Sequence, residues 1–233
     1  MTQRVLNLQR WLNAHGATLT ADGAWGPKTQ GAVINTFRNT KATAITDDEI
    51  KALANRHQFD VRAMKAVAKV ESGGAGWDRY GLLTCLFERH YLFRRVQKAV
   101  PFLSDPTPGG YTIDADGNQI NDSWEKLARA TGLFGFDVAF ECASFGKFQI
   151  MGAHWRALGY PSVAEFVWSL SRSEAAHYEA FCRYVVVNGL TDALNAVNGD
   201  PENCRAIARG YNGSSYAKLG YHQKIAAAWK VVA

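Results

Sequence analysis

Glu71 stands where a surface helix would carry another hydrophobe. Met64, Val67, Ala68 and Glu71 recur at helical spacing in residues 60–71, so they share one face. Asp60 suits an N-cap, and Ser72-Gly73-Gly74 can supply a left-handed stop. Burial disfavours the anion, and the negative end of the helix dipole repels it; both effects raise the carboxyl pKa. A carboxylic acid still protonated near neutral pH is the proton donor that cleavage of a glycosidic bond requires. The alternative is a solvated, idle Glu in a last turn. Glu88, at the end of the run Leu82-Leu83-Thr84-Cys85-Leu86-Phe87-Glu88, is the second acid of interest. Its plain alternative is a salt bridge to Arg89 or Arg94. Gln149, between Phe148 and Ile150, needs a polar partner: the backbone of the Glu71 helix or a bound sugar.

The elements that must position these groups are mostly helices. Residues 4–16 carry Val5, Leu8, Trp11 and Leu12 at helical spacing, and Gly16 is a stop. Asp22-Gly23 marks a tight turn and Gly26-Pro27 opens a second helix burying Ala32, Val33 and Phe37. Thr46-x-x-Glu49 is a capping box for a third helix burying Ile50, Leu53 and Ala54. Residues 55–59 read as a short connector. Residues 82–88 read as a strand and 89–100 as a basic amphipathic helix. In the irregular stretch 101–122, Tyr111-Thr112-Ile113 and Gln119-Ile120 flank Asp116-Gly117 and suggest a hairpin that could serve as a substrate lid. Asp114-Ala115-Asp116-Gly117-Asn118 has the opening of a calcium loop. Its glycine comes too early and no glutamate is read at the right spacing after it, so it is taken as a turn. From Ser123 onward the periodicity is helical, interrupted at residues 142–152, where Ser144, Gly146 and Gly152 mark close backbone packing.

Composition narrows the classes. The 233 residues carry a net charge of +5, which suits an anionic polymer, nucleic acid or acidic cell wall. No run of five Lys/Arg is present, which weakens the nucleic-acid reading. No apolar run reaches 18 residues and the start lacks the core of a signal peptide. Cys85, Cys142, Cys182 and Cys204 form no C-x-x-C pair and read as buried thiols, with one or two disulfides left open. The six histidines make no H-E-x-x-H, and Cys85 with His90 is a poor metal pair. Neither metal nor cofactor is expected.

Leu8-Gln9, Leu12, Gly16, Asp22-Gly23-x-x-Gly26-Pro27-x-Thr29, Ala32-Val33 and Phe37 resemble the three-helix peptidoglycan-binding domain of cell-wall hydrolases. That resemblance implies a binding domain over residues 1–54. Trp25 is placed in its groove, where an aromatic ring stacks on a sugar or peptide; plain core packing is the alternative. Val70-Glu71-Ser72, Ser144-x-Gly146-x-x-Gln149-Ile150 and Tyr211-Asn212-Gly213 resemble the lysozyme-like superfamily, goose-type lysozymes and lytic transglycosylases above all. Leu86-Phe87-Glu88-Arg89-His90 and Ser144–Gly152 are similar to phage endolysins with a C-terminal N-acetylmuramidase domain, here 60–233.

The resemblance implies a mainly α protein, a lysozyme-like domain with a short β-hairpin region near 82–90 and 111–121. It implies Glu71 as general acid at the bond between N-acetylmuramic acid and N-acetylglucosamine. Ser144 and Gln149 line the cleft, and Tyr211 and Asn212 close over Glu71. Glu88 is the preferred second carboxylate, with Asp78 and Glu141 as runners-up. The implied partner is bacterial peptidoglycan, met by a monomer with no stable membrane insertion. The enzyme would be made in a host cytoplasm and released to the periplasm by a holin or another route. Phe148 and Gly213 depart from the transglycosylase pattern and favour hydrolysis over 1,6-anhydro products. A decayed, non-catalytic wall-binding protein is the third reading.

Overall fold

The computed structural model describes residues 2–72 and 74–232. In chain order the elements are α1 (Gln3–Ala14), α2 (Pro27–Asn35), α3 (Asp47–His57), α4 (Val61–Glu71), β1 (Cys85–Phe87), α5 (Arg89–Val96), α6 (Asp122–Phe134), α7 (Phe136–Phe140), β2 (Ala143–Phe145), β3 (Ile150–Met151), α8 (Val163–Leu170), α9 (Glu174–Val187), α10 (Thr191–Asn195), α11 (Arg205–Asn212) and α12 (Tyr221–Val231). The fold is mainly α, as expected, with one small antiparallel sheet in the order β1-β2-β3. Two compact units share the chain: residues 1–42 with 76–172, and residues 43–75 with 173–233. The boundary drawn at 54–60 from the sequence falls between α3 and α4, inside the second unit. Residues 55–57, read as connector, continue α3.

The first unit is built on an aromatic core. Phe37, Trp124, Phe140, Phe145 and Phe166 are all essentially inaccessible. Phe37 stacks on Trp124 at 5.3 Å, and Phe136 stacks on Phe140 at 3.7 Å. Such pairs add about 0.5–1.5 kcal/mol each beyond area burial. The Trp124 indole donates to the Leu83 carbonyl at 2.6 Å, so its one polar atom is satisfied. β1 pairs with β2 in the register Cys85↔Phe145, Leu86↔Ser144, Phe87↔Ala143, and β2 with β3 through Ser144↔Met151 and Phe145↔Ile150.

The hairpin read at 111–121 does not form. Side chains take the amides a ladder would need: Ala115 N–H donates to Asp122, Asn118 N–H to Asp116, Gln119 N–H to Asp114 and Ile120 N–H to Asn118. Short polar side chains compete with the ladder in this way. The strand read at 82–88 shortens to three residues, and its partner β2 lies far along the chain, where periodicity carried no signal.

The second unit packs α4 against α12 and α3 against α9. Thr46 and Glu49 form the capping box at α3, and the Asp60 carboxylate accepts the Ala63 amide at 2.7 Å at the start of α4. α4 buries Ala63, Met64, Ala66, Val67 and Ala68. Arg62 lays its guanidinium 3.9 Å over the Trp229 ring and donates to the Trp229 carbonyl at 2.9 Å. α4 ends at Ser72 with φ −79° and ψ 89°, not in the left-handed region; Gly73, half of the expected glycine stop, lies outside the described residues. All four cysteines are buried free thiols.

Gly152, just after β3, admits no side chain: a Cβ there would lie 2.1 Å from the Phe140 carbonyl oxygen. Backbone cannot move aside as a flexible side chain can. Gly152→Ala is expected to lower the melting temperature by about 5 °C or more, an effect of roughly 1–3 kcal/mol. Calorimetry on the full chain measures it; an unchanged melting curve contradicts this packing.

Candidate active site

In the second unit, Glu71, Tyr211 and Asn212 come together. Glu71 is the last residue of α4, and Met64, Val67 and Ala68 on the same face are fully buried. Asn212, the last residue of α11, donates its amide to Glu71 Oε1 at 2.7 Å. Burial raises the Glu71 pKa from its ordinary 4.5 to about 7, opposed by the Asn212 hydrogen bond and the Lys224 charge. Burial outweighs both, so near neutral pH much of the carboxyl keeps its proton. In the protonated acid, one oxygen accepts from Asn212 while the other carries an O–H that can be given away. The Tyr211 ring packs against Phe181 and Tyr184, centroids 5.8 and 5.2 Å away. Burial first, then the Glu71 charge, drives its phenol well above the usual range, so it stays a neutral hydroxyl.

In the first unit, the sheet carries the remaining polar groups. Ser144, buried at the centre of β2, donates to Gln149 Oε1 at 2.8 Å, and Gln149 Nε2 donates to the Gly146 carbonyl at 2.8 Å. Gln149 is exposed and left-handed, at φ 47°. Its partners are therefore its own turn and Ser144. Glu88 follows β1 directly, and its amide donates to the Cys142 carbonyl at 2.9 Å. Tyr111 donates its hydroxyl to Glu88 Oε2 at 2.6 Å, and His90 Nδ1 stands 3.2 Å from the same oxygen. Arg89 and Arg94, weighed as alternative salt-bridge partners for Glu88, are engaged elsewhere: Arg89 bonds Thr107 and Pro108, and Arg94 lies over Tyr91.

The runner-up acids have partners of their own. Asp78 accepts the amides of Tyr80 and Leu82 in one turn, and Glu141 is held by Arg95 and the Trp155 indole. Trp25 stands just ahead of α2. It lines a groove of about 500 Å³ with Thr18, Thr20, Asp22, Lys28 and Thr29, and its ring packs on Gly132 of α6. Beneath it Gln9, fully buried, donates to Asp22, Ala24 and Thr29 and accepts from the Gly23 amide. Sequence reasoning missed Tyr111, His90 and Lys224 as neighbours of the two acids. Tyr111 carried a signal, an aromatic in an irregular stretch beside a cleft; Lys224 carried none beyond lying in a basic helix.

Residues 60–233 match the N-acetylmuramidase family. The chain belongs to that family. This muramidase is accordingly a glycoside hydrolase whose substrate is peptidoglycan. Among solved structures it is similar to the endolysin of the Burkholderia phage AP3, at 33% identity and a TM-score of 0.71, over 98% of this chain and 94% of that one. A comparison with curated proteins gave no match.

A raised carboxyl pKa ties this muramidase's stability to pH. Between pH 4.5 and about 7 the folded chain holds a proton on Glu71 that the unfolded chain releases. Stability from this group is thus full below the lower value and is lost as pH rises through the higher one. Glu71→Gln is expected to flatten that slope and to stabilise the protein above pH 7. Urea unfolding at pH 5 and pH 8 reads it out, and parallel curves for both proteins would disprove the burial.

Proposed function

We propose that this muramidase is a phage endolysin that cleaves the β-1,4 bond between N-acetylmuramic acid and N-acetylglucosamine. The observation that carries the reading is Glu71: a carboxyl with a pKa near 7, hydrogen-bonded by Asn212 through one oxygen. Glu71 protonates the glycosidic oxygen as the bond to the leaving sugar breaks. Tyr211 and Asn212 hold the acid, and Ser144 and Gln149 bind substrate. Glu88 is the second carboxylate, its oxygen fixed by the Tyr111 hydroxyl with the His90 ring beside it. A carboxylate so held keeps one oxygen oriented and can serve a water or a sugar cation in the transition state. Residues 1–54 grip the wall polymer, with Trp25 in the groove. The endolysin from the AP3 phage supports a role in host lysis. Among the described residues no helix is long and apolar enough to cross a membrane. Passage to the periplasm is assigned to a holin or another route.

Glu71→Gln is expected to cut turnover on purified sacculi by roughly 10²–10⁴-fold, the usual worth of a positioned acid. Mass spectrometry of the wild-type digest should show reducing-end muramic acid. A 1,6-anhydro product reassigns the enzyme to transglycosylation, and full activity in the variant removes Glu71 from the mechanism. Glu88→Gln should also slow turnover, with the folded state unchanged by circular dichroism.

The wall-binding assignment needs a point substitution. Phe37 belongs to the aromatic core of the first unit, so deleting 1–54 would remove core and groove together. Trp25→Ala is expected to weaken sedimentation with insoluble sacculi by about tenfold while sparing turnover on short soluble fragments, a stacking loss of about 1–2 kcal/mol. Undiminished sedimentation would leave Trp25 as packing alone.

A further inference from the structure

The segment read as a plain turn holds more ligand oxygens than a turn requires. Counted from Asp114, Asp116 is third, Asn118 fifth, Ile120 seventh, Asp122 ninth and Glu125 twelfth. Those are the positions from which a helix-flanked calcium loop draws its ligands, the seventh through its carbonyl and the twelfth through a glutamate. The early glycine, Gly117, is not the decisive one. The sixth position, which glycine normally fills to make the sharp turn, is Gln119, and its backbone is left-handed at φ 68°. The sequence reading that no glutamate stands at the right spacing is corrected: Glu125, twelfth from Asp114, lies in the first turn of α6.

The side chains converge. A carboxylate oxygen from each of Asp114, Asp116 and Asp122 lies within 4.8 Å of the others. Asn118 donates its amide nitrogen to Asp116 Oδ2 at 3.0 Å and to Glu125 Oε1 at 2.8 Å, which brings the fourth carboxylate to the group. Independently of that clustering, Asp114 Oδ1 is sealed from solvent with no hydrogen-bond partner. An ionised oxygen in that state is costly unless a cation faces it.

We propose that residues 114–125 bind a calcium ion through Asp114, Asp116, Asn118, the Ile120 carbonyl, Asp122 and Glu125. Asn118 turns its amide oxygen inward and gives up its bridging role to the cation. All donors are oxygens and four are carboxylates, which suits a hard cation of calcium's size. The ion also has a mechanical consequence. Asp122 N–H donates to the Ile113 carbonyl at 2.9 Å, and Lys126 holds the Gly110 carbonyl. The loop therefore anchors the segment that carries Tyr111 to Glu88, so calcium stiffens the hydroxyl that orients that carboxylate.

Titration calorimetry of calcium chloride into the full chain, stripped with a chelator, tests this. One site per chain is expected, with a Kd between about 10⁻⁷ and 10⁻³ M, and a higher melting temperature in calcium than in chelator. Asp116→Asn and Glu125→Gln should each weaken binding at least tenfold and abolish the calcium-dependent shift. Asp116 is exposed, so its variant tests the site even if the Glu125 variant fails to fold. No saturable binding up to about 10 mM calcium, beyond the range of such loops, overturns the proposal. So does binding that both variants leave intact. Neither result bears on Glu71, which is judged by turnover and product.

Discussion

A contest between burial and hydration sets the protonation of one carboxyl, Glu71. Glu71 gains a hydrogen bond from Asn212 and the field of Lys224, and both favour its anion. Withdrawal from water works the other way and wins, lifting the pKa to about 7. The elements around it serve that outcome. α4 is pinned at its start by Asp60 and along its length by Arg62 on Trp229, so its last side chain is held in register. α11 delivers Tyr211 and Asn212 together because they are its final turn. A Glu one residue later would lie beyond the helix, with neither the apolar stripe nor the amide to meet it.

The sheet plays the corresponding part in the first unit. Its three short strands bring residues 85–88 beside residues 142–145, and polar groups that are distant in sequence become neighbours. Ser144 and Gln149 satisfy one another, which lets a buried hydroxyl exist without penalty. Glu88 is oriented from outside the sheet by Tyr111, on a segment with no regular structure. That segment is ordered by side-chain-to-backbone bonds instead of by a ladder, which is how a stretch rich in Asp, Asn and Gly becomes a fixed support.

What could be read from the sequence was what is decided locally. The caps at Thr46 and Asp60, the apolar stripe ahead of Glu71 and the Gly26-Pro27 helix start depend on residues within a turn or two. The mainly α class was implied by the resemblance, and these helical stretches agree with it. The pairing of β1 with β2 was not legible, because three-residue strands leave no period to read. The expected hairpin failed because Asp-Gly signals a turn, and the flanking Asp and Asn side chains then took the amides that strands need. Gln9 was legible only as part of a familiar motif; that it is the buried hub of the Asp22–Thr29 turn depends on contacts 13 to 20 residues away.

Phe37 sits in the N-terminal sequence, yet its ring is one course of the masonry formed with Trp124, Phe136 and Phe140. Cell-wall hydrolases are often treated as interchangeable heads and tails. Here a cut at residues 54–60 would take Phe37 out of that layer. Anyone wishing to exchange the N-terminal residues for another segment has to supply a ring in the place of Phe37, or the aromatic layer loses a member.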